Sequence, residues 1–260
     1  GALDITAKPI NPAITSTDLA DLIQDKPYVA IIVVGNELLT SLNNISFKNK
    51  PKPPTIALLY HYPQKLPATL SIILRPDPVS VLSTMNAVAP SITQFYIIST
   101  IPTDNWYVKQ IQTAADSTKH QVVVKQVEQS AIDQALAYRS LLKGNQKIAA
   151  DHSAIWIISA MDKAILADIL KSAWFDRIIV IANFLPYVQH GVTFGFFTDN
   201  QALGRQINTL TLQLVTKNYQ GPSVIFSAGL KTAIHTVAAK RIAPQMQGKP
   251  QAHFDLVLPQ

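Results

Sequence analysis

The chain of 260 residues contains no cysteine. No disulfide can staple it, and no thiolate is available as a nucleophile or as a ligand for structural zinc. Charge is also scarce, at 15% of residues against 48% hydrophobic. That balance excludes a disordered, self-repelling chain and leaves ample material for a buried core. Long apolar runs are missing. Tyr28–Val34 and Ala154–Met161 are the longest, and both fall far short of the roughly 20 residues that cross a bilayer. We therefore expect no direct membrane insertion. No basic stretch followed by an apolar one opens the chain, and Gly1 reads as a cloning remnant with any signal or anchor lying upstream. Together with the missing thiols, this fits a periplasmic or otherwise extracytoplasmic setting.

Catalytic signatures are missing as well. There is no Gly-x-Ser-x-Gly elbow, no phosphate loop ending in Gly-Lys-Ser/Thr and no His-Glu-x-x-His pair. The dinucleotide fingerprint Gly-x-Gly-x-x-Gly does not occur, which removes the usual nicotinamide site. The six histidines, His61, His120, His152, His190, His235 and His253, show no metal-ligand spacing. The sequence implies no catalytic residue, no metal site and no cofactor. Net charge is +6, but Lys and Arg are scattered. The one dense run, Lys48-Asn49-Lys50-Pro51-Lys52, reads as a solvated loop, so a nucleic-acid partner is not implied.

What the sequence does contain is alternation. Short β-branched runs at Leu3–Ala7, Val29–Val34, Thr55–Tyr60, Phe95–Ser99, Gln121–Val127, Ala154–Ser159, Arg177–Ile181 and Ser223–Phe226 read as strands. Helical periodicity fills the intervals: Ser16–Gln24, Asn36–Asn44, Pro78–Ala89, Thr103–Lys119, Ser130–Lys143, Met161–Ser172, Asn200–Asn218 and Leu230–Arg241. Runs such as Ala30-Ile31-Ile32-Val33-Val34 are apolar on both faces, as in parallel strands covered by helices. The expected fold class is therefore α/β, with two Rossmann-like lobes built on parallel sheets. Two segments point to the division. Ser71–Ser99 and Val192–Ser227 each read as strand, capping Asp, helix and strand, with Asp77 and Asp199 as the caps.

In open parallel sheets, ligands sit beyond the carboxyl ends of the strands. That rule selects Asn36, Tyr60 and His61 in the first half. In the second half it selects Thr100, Trp106, Tyr107, Asp162, Asn183 and Phe184. Amides, hydroxyls and aromatics of this kind can orient a small polar ligand and cover its apolar faces. Each has a plainer reading: Gly35-Asn36 as a helix start, Tyr60-His61-Tyr62 as a turn, Asp162 as a helix cap, Trp106 and Tyr107 as core, Asn183 and Phe184 as loop.

Four stretches carry a resemblance to a known family. They are Asp18–Leu42 with its apolar strand ending in Gly35, Arg75-Pro76-Asp77-Pro78 through Ala89-Pro90-Ser91, Phe95–Thr103, and Phe196-Phe197-Thr198-Asp199 through Leu203-Gly204-Arg205-Gln206. Their order and spacing resemble the substrate-binding proteins of ABC transporters with the type I periplasmic-binding-protein fold, most of all the group that includes tryptophan and other amino-acid binders. The resemblance implies a lobe of residues 1–92 with 222–260 and a second lobe of residues 93–221, joined near Ser91–Gln94 and Tyr219–Ser223. It also implies capture of a small ligand, an amino acid or similar, by hinge closure and delivery to an ABC permease, without enzymatic chemistry. A first βα unit usual in the family has no counterpart before Leu3, and the tail Ala252–Leu258 reads as an additional strand. These departures keep a second reading open, a degenerate module that works through protein–protein contacts and holds no small ligand. An enzyme on this scaffold would have to draw on Glu37, His61 and Asp162.

Overall fold

The structure is a computed structural model that describes residues 6, 10, 14–24, 28–47, 51–62, 68–100, 104–128, 130–143, 148–242 and 253–258. Most of the expected strand Leu3–Ala7 and most of the Lys48–Lys52 run lie outside the described residues. In chain order the elements are α1 (Ser16–Gln24), β1 (Ile31–Val34), α2 (Asn36–Asn43), β2 (Thr55–Leu59), β3 (Leu70–Ile73), α3 (Pro78–Val88), β4 (Gln94–Thr100), α4 (Asn105–Thr118), β5 (Gln121–Val127) and α5 (Ala131–Lys143). There follow β6 (Ser153–Ile157), α6 (Lys163–Asp176), β7 (Ile179–Ala182), α7 (Leu185–Gln189), β8 (Phe194–Thr198), α8 (Asn200–Val215), β9 (Val224–Phe226), β10 (Leu230–His235), α9 (Thr236–Arg241) and β11 (Leu256–Leu258).

The chain divides into two compact units, Gly1–Arg75 with Asp199–Gly229, and Pro76–Thr198 with Leu230–Gln260. The first holds a parallel sheet in the order β1-β2-β3-β9. Every residue of β2 and β3 is buried, as mostly apolar strands covered on both faces are. Helix α8 closes one side. Its Leu203 and Leu210 pack on Ile56 and Leu58 of β2 and on Leu70 and Ile72 of β3. Gln206, from the Leu-Gly-Arg-Gln stretch, ties the helix to the sheet edge: its Nε2 donates to Phe226 O at 3.1 Å, and Ala228 N donates to its Oε1 at 2.7 Å.

The second unit holds a seven-stranded sheet in the order β11-β10-β8-β7-β6-β4-β5. Strands β4 to β8 are parallel, β10 runs antiparallel to β8, and β11 runs parallel to β10. From β4 the chain first adds β5 on one side, then returns past β4 to lay down β6, β7 and β8 on the other. The order therefore reverses between β4 and β6. Strands β6 and β7 are buried throughout.

Two expectations are corrected. The lobe boundaries lie at Arg75–Pro76, Thr198–Asp199 and Gly229–Leu230, not near Ser91–Gln94 and Tyr219–Ser223. Packing explains the difference. Helix α3 rests on α4 and belongs with the second unit, α8 rests on the first sheet, and β10 and β11 join the second sheet through β8. Next, residues Leu230–Arg241 are not one helix. Leu230–His235 pairs with β8, and only Thr236–Arg241 coils, with the His235 Nδ1 accepting from Ala238 N at 3.1 Å as its cap. The parallel sheets themselves are as expected, with β10 added antiparallel to β8 at one side of the second.

The two look-alike segments acquire a specific meaning. Strand β3 lies in the first unit, and the Asp77-capped helix α3 and strand β4 lie in the second. Strand β8 lies in the second unit, and the Asp199-capped helix α8 and strand β9 lie in the first. What reads in the sequence as a repeated half-domain is the same crossing made in opposite directions. Asp77 accepts from Val79 N and Ser80 N, and Asp199 from Gln201 N and Ala202 N.

Helices α4 and α6 end on Lys119 and Arg177, both left-handed at φ 59° and 58°. Glycine takes that conformation without a Cβ penalty. Arg177→Gly is expected to raise stability by about 0.5–1 kcal/mol, read as a higher urea midpoint. An unchanged or lower midpoint would contradict this reading of the helix end.

Candidate ligand site at the strand carboxyl ends

In the second unit the reversal between β4 and β6 places the carboxyl ends of β4, β6 and β7 side by side, and their polar residues are linked. Asp104, fully buried just before α4, accepts at Oδ2 from Thr100 N at 3.2 Å and Thr100 Oγ1 at 3.0 Å. Ser159 Oγ donates to the same oxygen. A buried carboxylate survives desolvation only when several donors meet it, and this one holds the ends of β4 and β6 together.

A second chain of bonds runs from Trp156, in the middle of the sheet. Its Nε1 donates to Asn183 Oδ1 at 2.9 Å, Asn183 Nδ2 donates to Tyr107 Oη at 3.2 Å, and Tyr107 Oη donates to Pro76 O at 2.8 Å. Tyr187 closes the loop after β6. Met161 N donates to its Oη at 2.7 Å, and the Oη donates to Met161 O at 3.2 Å. Burial raises the Tyr187 phenol above its ordinary range, against a smaller opposing effect of the Met161 backbone bond. Tyr138 on α5 is pushed well above the usual tyrosine range, by burial first and then by Tyr187 and Asp104. Both phenols therefore stay protonated.

Of the residues selected from the sequence, Thr100, Tyr107 and Asn183 are buried within these two linked sets. Trp106 is half-buried in the first turn of α4, and Phe184 is half-buried before α7 with its ring 5.1 Å from that of Tyr187. Asp162 is exposed and caps α6, accepting from Ala164 N at 2.7 Å.

In the first unit, Asn36 is the exposed first residue of α2 and follows Gly35, whose φ of +97° favours glycine. Tyr60 and His61 follow β2 and meet Arg75, which follows β3 and is 1% exposed. Arg75 Nε donates to Tyr60 O at 2.9 Å, and its Cζ lies 4.8 Å from the centroid of the Tyr60 ring. Its Nη2 lies 2.9 Å from His61 Nδ1. Arginine can only donate, so Nδ1 is the acceptor and the proton of the neutral imidazole sits on Nε2.

Sequence reasoning passed over Asp104, Ser159, Tyr138 and the role of Arg75. Asp104 carried a faint signal, four residues beyond the last of an apolar strand and one before a helix. Among the described residues, no group of three or more His, Asp or Glu could hold a metal ion, and no helix is long and apolar enough to cross a membrane.

No protein-family model and no curated protein matches the chain. Solved structures do match its fold. A substrate-binding protein with adhesive properties from Clostridium difficile, in its ligand-free open form, superposes with TM-score 0.63 at 13% identity, over 94% of this chain and 83% of that one. An ABC domain from Streptococcus pneumonia in complex with L-Trp gives 0.57 at 12%, over 94% and 86%. An ABC transporter solute-binding protein from Agrobacterium vitis bound with α-D-tagatopyranose gives 0.52 at 12%, over 92% and 86%. The fold is the two-lobed α/β fold of type I periplasmic-binding proteins. At these identities the likeness concerns the fold and leaves the ligand open.

Proposed function

We propose that the chain is a non-enzymatic, extracytoplasmic substrate-binding component of an ABC-type transport system, capturing an amino acid or a similarly small polar ligand for a permease. The observation that supports this most is the strand reversal between β4 and β6. It gathers hydroxyl, amide, carboxylate and aromatic groups at the place where open α/β sheets receive ligands. In this reading Asp104, Asn183 and Tyr107 fix the strand ends, and Trp106 and Phe184 offer half-buried aromatic surface to the ligand. Asn36, Tyr60 and His61 are the candidates in the first unit. The solved proteins of this fold that were captured with L-Trp or with a ketose make such solutes the first to try.

The test is a thermal-shift panel of the full chain with amino acids, monosaccharides and nucleosides. A true ligand at a hundred times its Kd adds about 2.7 kcal/mol, a rise of a few degrees in Tm. Trp106→Ala should abolish that rise while leaving the ligand-free Tm within a few degrees. A panel with no shift would overturn the proposal. It would favour the second reading, a module that meets a protein partner and holds no small ligand. The burial of Thr100, Tyr107 and Asn183 in bonds within the chain is the observation on that side.

A further inference from the structure

Away from the strand ends, helices α5 and α6 pack together in the second unit and present large apolar side chains to water. Phe175 is 87% exposed, Ile132 73% and Leu136 56%. Ile132 and Leu136 lie one turn apart on α5 and so share a face. Between the helices runs a groove of about 910 Å³ floored by Tyr138, Leu142 and Ile169. A second hollow of about 450 Å³ adjoins it beside α9, walled by Trp174, Phe175, Lys171 and Arg241. Lys171 and Phe175 line both, so the two form one continuous surface.

The charge is one-sided in the smaller hollow, around Trp174 and Phe175. The residues lining the smaller hollow include Lys171 and Arg241 and no carboxylate. Arg241 lies with its Cζ 5.1 Å from the Trp174 ring centroid, and Trp174 is held by its Nε1 donating to Gly191 O at 3.2 Å. In the groove, Asp168 pairs with Arg139 at 3.4 Å and Asp176 adds a second carboxylate, against Arg139, Lys143 and Lys171, so basic groups still outnumber acidic ones. Aromatic and arginine side chains on an open surface are the groups that dominate protein contacts. A phenylalanine that projects into water gains from a partner surface that comes to it, which a small molecule lying in the hollow would not supply.

We propose that this surface docks an acidic peptide segment of another protein, with an apolar side chain against Phe175 and Trp174 and carboxylates against Lys171 and Arg241. Charge complementarity selects the occupant. The inference does not depend on the ligand reading given above.

The test is fluorescence anisotropy of a short fluorescein-labelled peptide alternating glutamate with leucine, titrated with the full chain. Saturable binding is expected. Phe175→Ser should weaken it about tenfold or more, Phe175→Tyr should restore most of it, and the pair Lys171→Glu with Arg241→Glu should weaken it to a similar degree. The charge-matched pair Lys109→Glu with Lys125→Glu lies on α4 and β5, outside both hollows, and should leave it within about twofold. A peptide with lysine replacing glutamate should not bind. The proposal is overturned if the wild-type chain shows no saturable binding, if Phe175→Ser binds like wild type, or if the control pair costs as much as the Lys171 and Arg241 pair. Circular dichroism of each variant reports its folding, and a Phe175→Ser chain that melts like wild type assigns the loss to the surface.

Discussion

Trp156→Ala should lower the stability of the second unit by about 3–5 kcal/mol, read as a fall in the urea midpoint followed by circular dichroism. Trp156 is fully buried in β6, near the middle of the sheet, and meets Phe95 of β4 edge-on with ring centroids 6.1 Å apart. Truncation leaves a cavity in a layer closed on both sides. It also removes the donor to Asn183 Oδ1, loosening the link from Asn183 through Tyr107 to Pro76. Trp156→Phe separates the two effects. It keeps an aromatic ring in the layer while removing the N–H and part of the indole volume, so a smaller loss of about 1–2 kcal/mol is expected. A loss below about 1 kcal/mol for the alanine variant would mean that the sheet closes over the gap, contrary to the packing described here.

The second large effect is at Asp104. Asp104→Ala withdraws one carboxylate from three donors, the Thr100 N–H, the Thr100 hydroxyl and the Ser159 hydroxyl. Each buried donor left unmet costs about 1–3 kcal/mol, and the terms are not additive because water can enter at strand ends. We expect about 3 kcal/mol in all. Asp104→Asn retains an acceptor for Thr100 and should cost about 1 kcal/mol. If the alanine and asparagine variants unfold at the same midpoint, the bonds to Thr100 are not what holds β4 to β6. The same pair bears on function, since any ligand held at the ends of β4 and β6 depends on their relative placement. A hit in the thermal-shift panel should then weaken more in the alanine variant than in the asparagine one.

How much of this was legible beforehand depended on how local the cause was. The Asp caps were legible because the signal is contained in a few residues. Asp77, Asp162 and Asp199 each stand where the sequence put them, with side chains on the first helical amides. At α1 the cap is Thr15: Asp18 N donates to Thr15 Oγ1, and Thr15 Oγ1 donates back to Asp18 Oδ2. Strand β5 matches its expected bounds, and β2, β4, β6 and β7 differ only at their ends, because short runs rich in β-branched and aromatic residues favour the extended backbone.

The segment Leu230–His235 was misread because its pattern suits either period. Its partner β8, more than thirty residues earlier, settles the matter. The lobe boundaries failed for the same reason, since α8 joins the first unit through contacts with β2 and β3 that no local pattern announces. At the site, strand-end position was readable, but the partners that decide each residue's role were not. Asn183 joins Trp156 to Tyr107 across 27 and 76 positions of sequence, and Asp104 reaches Ser159 across 55.

The three passages of the chain between the units bear on how the protein is made. Once synthesis has reached Thr198, all five parallel strands of the second sheet exist. The first sheet still lacks β9, along with the α8 leucines that cover β2 and β3. The unit whose chain begins first is therefore covered only after the parallel strands of the second have been made, and the second is completed last of all by residues 230–258. Until residues 199–229 emerge, the nascent chain carries Ile56, Leu58, Leu70 and Ile72 without their cover, the state in which a holdase chaperone or a neighbouring nascent chain finds an apolar sheet to bind.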